Sequence, residues 1–457
     1  RSLCQATGVL FRERRVNASE AAALLELTTK TFSDPLSERR ASRELCVGAR
    51  LHTPDGKSVS LDLSDIATHE RLRFRVALAL RTLRDGSPPL IEVSSDRPLI
   101  SPAEAVLDYQ NQGLFTPGAA DPYQAARAWL SAHGFALQDL NEGGGPEEQV
   151  VDALLLFQPR RDAKAIYASL FTHLNQGGSA LLCAQEHDLL ARRLSENDHA
   201  LAYWLRPLYP DLDVSPFLEL GLTLNPQPLF DSLRGTALIS TRSDRPGQAP
   251  QTVLTPASES FCVRILGAEA YGELVLAGAN ALSVDEAKLS ARGLELKPWL
   301  FASDASWNHA WEGGDLSPSA LSGSMEDPAN IHWGDAPILA ADLMGALPSC
   351  RVDENERLVI DQEAATGDGT LSMIGSSAPF RSAHLHAPGT DHAQLLLHSV
   401  ARLSLEPALV SMLSHREAPR GFEQPSPTER FAWRMFLIAC APLVLASIGA
   451  RRSRRSS

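Results

Sequence analysis

The chain has 457 residues, which exceeds one ordinary domain and favours two or three. Hydrophobic residues make up 44% and charged residues 21% of it, and these globular proportions exclude a wholly disordered protein. The formal net charge of -13 argues against nucleic acid as the main partner. The six cysteines include no C-x-x-C pair, so neither a zinc ribbon nor a dense disulfide framework is indicated.

Residues 1–87 are predicted to form a small α/β unit. Apolar residues at helical spacing favour a helix over 18–32. Residues 46–53 and 57–63 alternate apolar and polar on either side of a Pro-Asp-Gly turn, which is typical of a β-hairpin. A second helix is expected over 65–83, where the apolar residues share one face.

Residues 88–195 carry the signals of a parallel sheet. The apolar run over 150–159 is typical of a strand that is buried on both faces. An amphipathic helix over 162–174 follows it, and after a Gly-Gly stop comes another apolar strand over 179–184. Strand, helix and strand at this spacing predict a right-handed βαβ unit and hence parallel pairing. Further elements of this region are strands over 89–94 and 135–140 and a helix over 123–133.

Residues 196–350 are interpreted as an insertion or second subdomain, because proline and turn residues are dense there. Residues 351–413 are expected to return to the parallel sheet with one strand and one helix. The predicted elements of the two regions are strands over 236–240 and 273–277, a helix over 337–347, a strand over 369–376 and a helix over 390–404.

The C-terminal end carries a membrane signal. Residues 431–450 are mostly apolar, and about 20 such residues suffice for a helix to cross a bilayer. Trp433 suits the aromatic belt at the membrane interface, and Arg434 can reach the headgroups along its aliphatic stem. The alternative is a buried apolar helix followed by a basic tail. Four arginines follow the apolar segment: Arg451, Arg452, Arg454 and Arg455.

These arginines predict the orientation of the protein. By the positive-inside rule they place residues 451–457 in the cytoplasm as a basic tail, where they also suit anionic lipid headgroups. Residues 414–430 are polar and contain proline, as expected of a linker. We therefore expect a single-pass protein of the cell inner membrane whose bulk is periplasmic.

The order of these segments resembles the GldG-like (gliding-motility-associated) auxiliary proteins of ABC-2-type transporters. The resemblance rests on the strand–helix–strand segment over 151–185, the strand–helix pair over 369–413, and the linker, apolar segment and arginine-rich tail over 426–455. It implies an extracytoplasmic α/β domain with a parallel sheet that is flavodoxin-like or amidotransferase-like, mixed α/β segments and one C-terminal transmembrane helix. It also implies an ABC-2-type permease and a cytoplasmic ATPase as partners.

Two departures limit this resemblance. Members usually carry an N-terminal membrane helix or a fused permease, which these 457 residues do not include. Members also often end the last strand near an acidic residue, whereas residues 375–380 read G-S-S-A-P-F. No binding or catalytic residue is therefore carried over.

No strong catalytic motif is present in the sequence. It contains no P-loop string and no G-x-S-x-G or G-x-C-x-G elbow, so we expect a non-enzymatic protein without a cofactor. Cys183 and His187 are a weak nucleophile–base candidate, and the alternative is a buried cysteine that acts as a small apolar group.

Two clusters are candidate binding sites. His384, His386 and His392 have a spacing that suits a metal and are weak candidates for such a site; the alternative is a solvated loop with Asp391 in the first turn of the following helix. A second cluster combines aromatic and polar side chains that suit a ligand groove, or else a structural plug over a sheet edge: Trp307, His309 and Trp311.

The function favoured by the sequence is a membrane-anchored accessory subunit of an ABC-type transport system, whose outer domain binds a partner or a substrate. Two alternatives stay open. One is a membrane-anchored hydrolase or amidase of the cell envelope, and the other is a solute-binding or sensory ectodomain.

Overall fold

Most of the residues before position 415 have a described structure. A computed structural model of the chain describes residues 18–25, 30–33, 42–53, 56–63, 69–95, 121–140, 150–159, 163–193, 201–210, 212, 215–243, 251–265, 274–322, 330–332, 335–361, 365–387 and 389–414. All of them belong to the first of two units, Arg1–Ser414. Within these ranges no helix is long and apolar enough to cross a membrane.

The predictions for the C-terminal end lie outside the described residues. They are the linker beyond Ser414, the transmembrane helix over 431–450 with Trp433 and Arg434, and the basic tail with Arg451, Arg452, Arg454 and Arg455. The Pro-Asp pair of the predicted hairpin turn lies outside them as well.

The described part of the chain contains both helices and strands. Its helices are α1 (Ala18–Leu25), α2 (His69–Asp85), α3 (Gln124–Ala132), α4 (Lys164–Asn175), α5 (Ser215–Leu220), α6 (Glu286–Ala291), α7 (Pro318–Ser322), α8 (His392–Ser404) and α9 (Pro407–Ser414), with a 3-10 helix at Ala378–Phe380. Its strands are β1 (Lys30–Ser33), β2 (Ser42–Leu45), β3 (Gly48–His52), β4 (Ser58–Asp62), β5 (Leu90–Ser95), β6 (Ala136–Asp139), β7 (Ala153–Phe157), β8 (Ser179–Cys183), β9 (His187–Arg193), β10 (Leu201–Pro207), β11 (Leu222–Leu224), β12 (Leu229–Asp231), β13 (Ala237–Ser243), β14 (Gln251–Ala257), β15 (Cys262–Arg264), β16 (Val275–Ala277), β17 (Leu282–Val284), β18 (Glu295–Phe301), β19 (Ser306–Asn308), β20 (Ile331–His332), β21 (Ile338–Gly345), β22 (Cys350–Val352), β23 (Leu358–Ile360) and β24 (Gly369–Ile374).

The main sheet has seven strands in the order β18-β21-β24-β8-β7-β5-β6. The five strands from β24 to β6 pair in parallel, and β21 and β18 extend the sheet in antiparallel fashion. The predicted βαβ unit is confirmed, because β7 and β8 are parallel neighbours joined by α4. The mixed α/β class is confirmed too, although the sheet is mixed rather than wholly parallel.

Side chains that alternate along the central strands fill two separate cores. Leu155 and Phe157 of β7 pack on the side of α2, α3 and α8, whereas Leu154 and Leu156 pack on the side of α4. Every residue of β7 is buried, which explains its continuous apolar run. Each such leucine contributes about 1.5 to 3 kcal/mol by leaving water.

A second β-layer follows β8 in the chain. We use this name for the sheet β10-β9-β13-β14 together with the pair β15-β16. Apolar side chains of these strands form a third core around Phe230, Phe261 and Trp307. The second β-layer lies at the carboxyl ends of the main sheet's parallel strands, because β9 begins four residues after β8 ends.

The structure corrects two predictions and confirms a third. Residues 337–347 were expected to be helical, but Ile338–Gly345 is a strand between β18 and β24. Its helix-forming residues adopt this strand because both faces are covered, and packing outweighs intrinsic propensity. The predicted helix over 18–32 ends at Leu25, and its last residues belong to β1. The hairpin of β3 and β4 is confirmed.

Candidate functional site at the carboxyl ends of the parallel strands

The topology of the main sheet indicates where a ligand would bind. In open α/β sheets, ligands occupy the crevice beyond the carboxyl ends of the strands, where the strand order reverses. Here β5 is followed by β6 on one side and then by β7 on the other, so the reversal lies between β5 and β7. Among the described residues, those that follow β7, β8 and β24 lie at these carboxyl ends, and we call this candidate site the carboxyl edge.

A buried glutamine follows β7 at this edge. Gln158 has a φ of 47°, an uncommon conformation for a residue other than glycine. Its Oε1 accepts hydrogen bonds from Ser377 Oγ at 2.7 Å and from the backbone N–H of Gln185 at 3.1 Å. Its Nε2 donates to the backbone carbonyl of Gln185 at 2.9 Å. These bonds hold the strained backbone in place, as is common for such residues near functional sites.

A second buried glutamine follows β8 and fills the space beside the loop after β24. Gln185 Oε1 accepts three hydrogen bonds at 3.0 Å, from Ser376 Oγ and from the amides of Ser377 and Ala378. Converging backbone amides of this kind bind anions in other sheets. Here a carboxamide oxygen of the protein already occupies the position, and its Nε2 is satisfied by the His187 carbonyl at 2.7 Å.

Asn280 joins this network from the segment before β17. Its backbone N–H donates to the Gly375 carbonyl at 2.8 Å, and its side-chain Oδ1 accepts a hydrogen bond from the backbone N–H of Glu186 at 2.9 Å. The backbones approach so closely that a Cβ on Gly375 would lie 2.0 Å from the Asn280 carbonyl oxygen. Glycine is therefore required where β24 ends.

An ionic cluster lies next to the amide network. Asp188 accepts hydrogen bonds from Arg381 Nη1 and from Arg206 Nη2, both at 2.7 Å, and its side chain is 8% exposed. Burial raises the pKa of Asp188, but the attraction of Arg381 and Arg206 outweighs it and holds the pKa below its usual value. The carboxylate is thus charged at neutral pH and shared between two guanidinium groups.

A cavity of about 30 Å³ adjoins this cluster. Its polar walls are Asp188, Arg381, His384 and His392, and its apolar walls come from β13 and β16 of the second β-layer. This volume suits one or two water molecules rather than a metabolite.

The histidines of the cavity are neutral at pH 7. Burial is the main cause that lowers the pKa of His384 to about 4, and the nearby Arg381 lowers it further. Burial also lowers the pKa of His392, although hydrogen bonds to the backbone of His384 and Val275 oppose the shift. Neither ring carries charge until the surroundings become acidic.

Cys183 lies at the end of β8 with no exposed surface. Burial raises the pKa of its thiol well above the usual value. His187, its suggested base, has a pKa that burial lowers to about 4. The thiol is therefore neutral and inaccessible, which suits the alternative of a small apolar group.

The three histidines of the suggested metal site are divided between two places. His384 and His392 line the cavity, whereas the exposed His386 lies against Trp129, with 5.0 Å between ring centroids. Among the described residues, no group of three His, Cys, Asp or Glu side chains is arranged to hold a metal ion.

The suggested aromatic groove is divided as well. Trp307 is wholly buried in the third core, whereas Trp311 is half-buried with its ring edge on His187 at 5.2 Å. His309 stacks on Phe230 at 4.7 Å, and its Nδ1 lies 3.2 Å from Asn330 Oδ1. Trp307 belongs to β19, the central strand of the sheet β12-β19-β20.

Sequence reasoning did not single out Gln158, Gln185, Asp188, Ser377 or Arg381. A signal for three of them was present, since each apolar strand of the parallel set is followed closely by a polar residue: L-L-L-F-Q, L-L-C-A-Q and M-I-G-S-S. The pairing of Asp188 with Arg381 had no local signal, because 193 positions separate the two residues.

Comparison with protein-family models and with curated protein sequences found no match to this chain.

Proposed function

We propose that this chain is a membrane-anchored, non-enzymatic accessory subunit of an ABC-type transport system. In this proposal residues 431–450 cross the cell inner membrane once, residues 451–457 are cytoplasmic, and the α/β unit is a periplasmic ectodomain that binds a partner. The observation that carries the proposal is the twenty-residue apolar segment with four arginines directly after it.

The filled carboxyl edge supports a scaffold role for the sheet in the proposed subunit. The proposal treats the sheet as flavodoxin-like, because its five parallel strands have the order β6-β5-β7-β8-β24, which is 2-1-3-4-5 when these five are numbered along the chain. Such a sheet takes its ligand at the carboxyl edge, but here Gln185 satisfies the donors of the loop after β24. The sheet then acts as a rigid scaffold, and recognition falls to its outer surfaces.

The proposed partners are an ABC-2-type permease and a cytoplasmic ATPase. The chain contains no P-loop, so in this proposal the ATPase supplies the energy. Residues 414–430 and the membrane helix would connect the ectodomain with the permease.

The topology is tested by protease protection of the full chain. In spheroplasts, added protease should digest the ectodomain and leave a protected fragment of the membrane segment and tail. Replacing Arg451, Arg452, Arg454 and Arg455 by glutamate should weaken or invert this orientation, because basic residues retain a flank in the cytoplasm. Full protection of the ectodomain in spheroplasts, or release of the intact chain by alkaline carbonate, would contradict the proposal.

The partners are tested by purification of the full chain in mild detergent after crosslinking in cells. A permease and an ATPase should be recovered together. A matched control carries an unrelated apolar helix in place of residues 431–450, which keeps the anchor but should lose a partner that recognises this helix. Repeated recovery of neither subunit with the natural chain would count against the transport assignment.

A solute-binding ectodomain is the second candidate, and the cavity beside Asp188 is the observation that favours it. Because the cavity holds only one or two waters, a solute would have to open it. A ligand that binds the folded state raises the melting temperature, so screening small anions and amino acids by thermal shift tests this candidate. No shift with any of them would leave the partner-binding role as the better account.

A further inference from the structure

We draw no further inference here: the strongest candidate, the open groove of about 480 Å³ between α5 and α6, is mainly apolar, its two basic side chains already donate to backbone carbonyls of α5, and nothing in the described part of the chain shows what covers it.

Discussion

At the scale of single residues, the carboxyl edge combines neutral and charged groups that satisfy one another. The Gln158 side chain donates to the Gln185 carbonyl and accepts from the Gln185 backbone N–H, and Ser377 donates to the side-chain oxygens of both glutamines. Asp188 is paired in the same way with Arg381 and Arg206. Buried polar groups that are satisfied in this manner stabilise one arrangement, and removing a single member leaves its partners desolvated.

The Asp188→Asn variant should therefore lose about 3 to 5 kcal/mol of unfolding free energy, because two partly buried guanidinium groups lose their buried carboxylate. Urea unfolding of the full chain in mild detergent measures the loss. Asp361→Asn is the matched control, since Asp361 pairs with the exposed Arg351 at 2.8 Å and should contribute less than about 1 kcal/mol. Equal losses of unfolding free energy in the two variants would show that burial of the Asp188 carboxylate does not strengthen its ion pairs.

Thiol reactivity gives a second test at this scale. Cys183 is wholly buried with a raised pKa, whereas Cys46 is partly exposed. Iodoacetamide at pH 8 should label the peptide of Cys46 in the native chain and leave that of Cys183 unlabelled until the protein is denatured. Rapid labelling of Cys183 in the native chain would show that the thiol is accessible, and Cys183 would again be a candidate nucleophile.

At the scale of elements, β24 shows how the ends of strands depend on distant backbone. It pairs with β8 on one side and with β21 on the other, and it ends at Gly375 against Asn280. The neighbours of β24 come from widely separated parts of the chain. A strand in this position tolerates little change in shape, because protein interiors are closely packed.

The Gly375→Ala variant should be destabilised by more than about 2 kcal/mol, because the new Cβ would meet the Asn280 carbonyl oxygen. Gly86→Ala is the control: Gly86 has a φ of 86° but nothing within 4 Å, so only backbone strain of about 1 to 2 kcal/mol applies. Thermal unfolding compares the two. A smaller loss in Gly375→Ala than in Gly86→Ala would argue against the close approach.

At the scale of the whole molecule, partly buried histidines link stability to pH. Burial lowers the pKa of His187, His384 and His398 to about 4, from 6.5 in the unfolded chain. Below pH 6.5 the unfolded state therefore binds more protons than the folded state, and stability falls as the pH falls. Asp188 does not offset this loss, because its lowered pKa keeps it charged throughout the window.

The unfolding free energy should decrease between pH 6.5 and pH 4, by about 1 to 3 kcal/mol for each of these histidines. Denaturant titrations at several pH values measure the slope. His398→Gln should flatten it in part, whereas His386→Gln should leave it unchanged because that ring is exposed. Stability that stays constant or rises as the pH falls would show that the rings are already protonated in the folded protein.

Much of the secondary structure follows from short stretches of the amino-acid sequence. The hairpin of β3 and β4 was predictable because its turn and alternation lie within about fifteen residues. The unit of β7, α4 and β8 was predictable because a doubly buried strand is apolar throughout and a Gly-Gly stop ends the helix. Such local patterns require no knowledge of distant partners.

The rest of the fold and of the candidate site depends on contacts between residues that are far apart in the sequence. Ile338–Gly345 reads as a helix in isolation, and it becomes a strand because β18 and β24 lie on either side of it. The L-L-C-A-Q pattern places a polar residue after the strand, but the hydrogen bonds of Gln185 with Ser376 and Ser377 were not predictable because these donors lie 191 and 192 positions away. A single sequence carries no local trace of such pairings, since their free energy comes from burial and hydrogen bonds that exist only once the chain has folded.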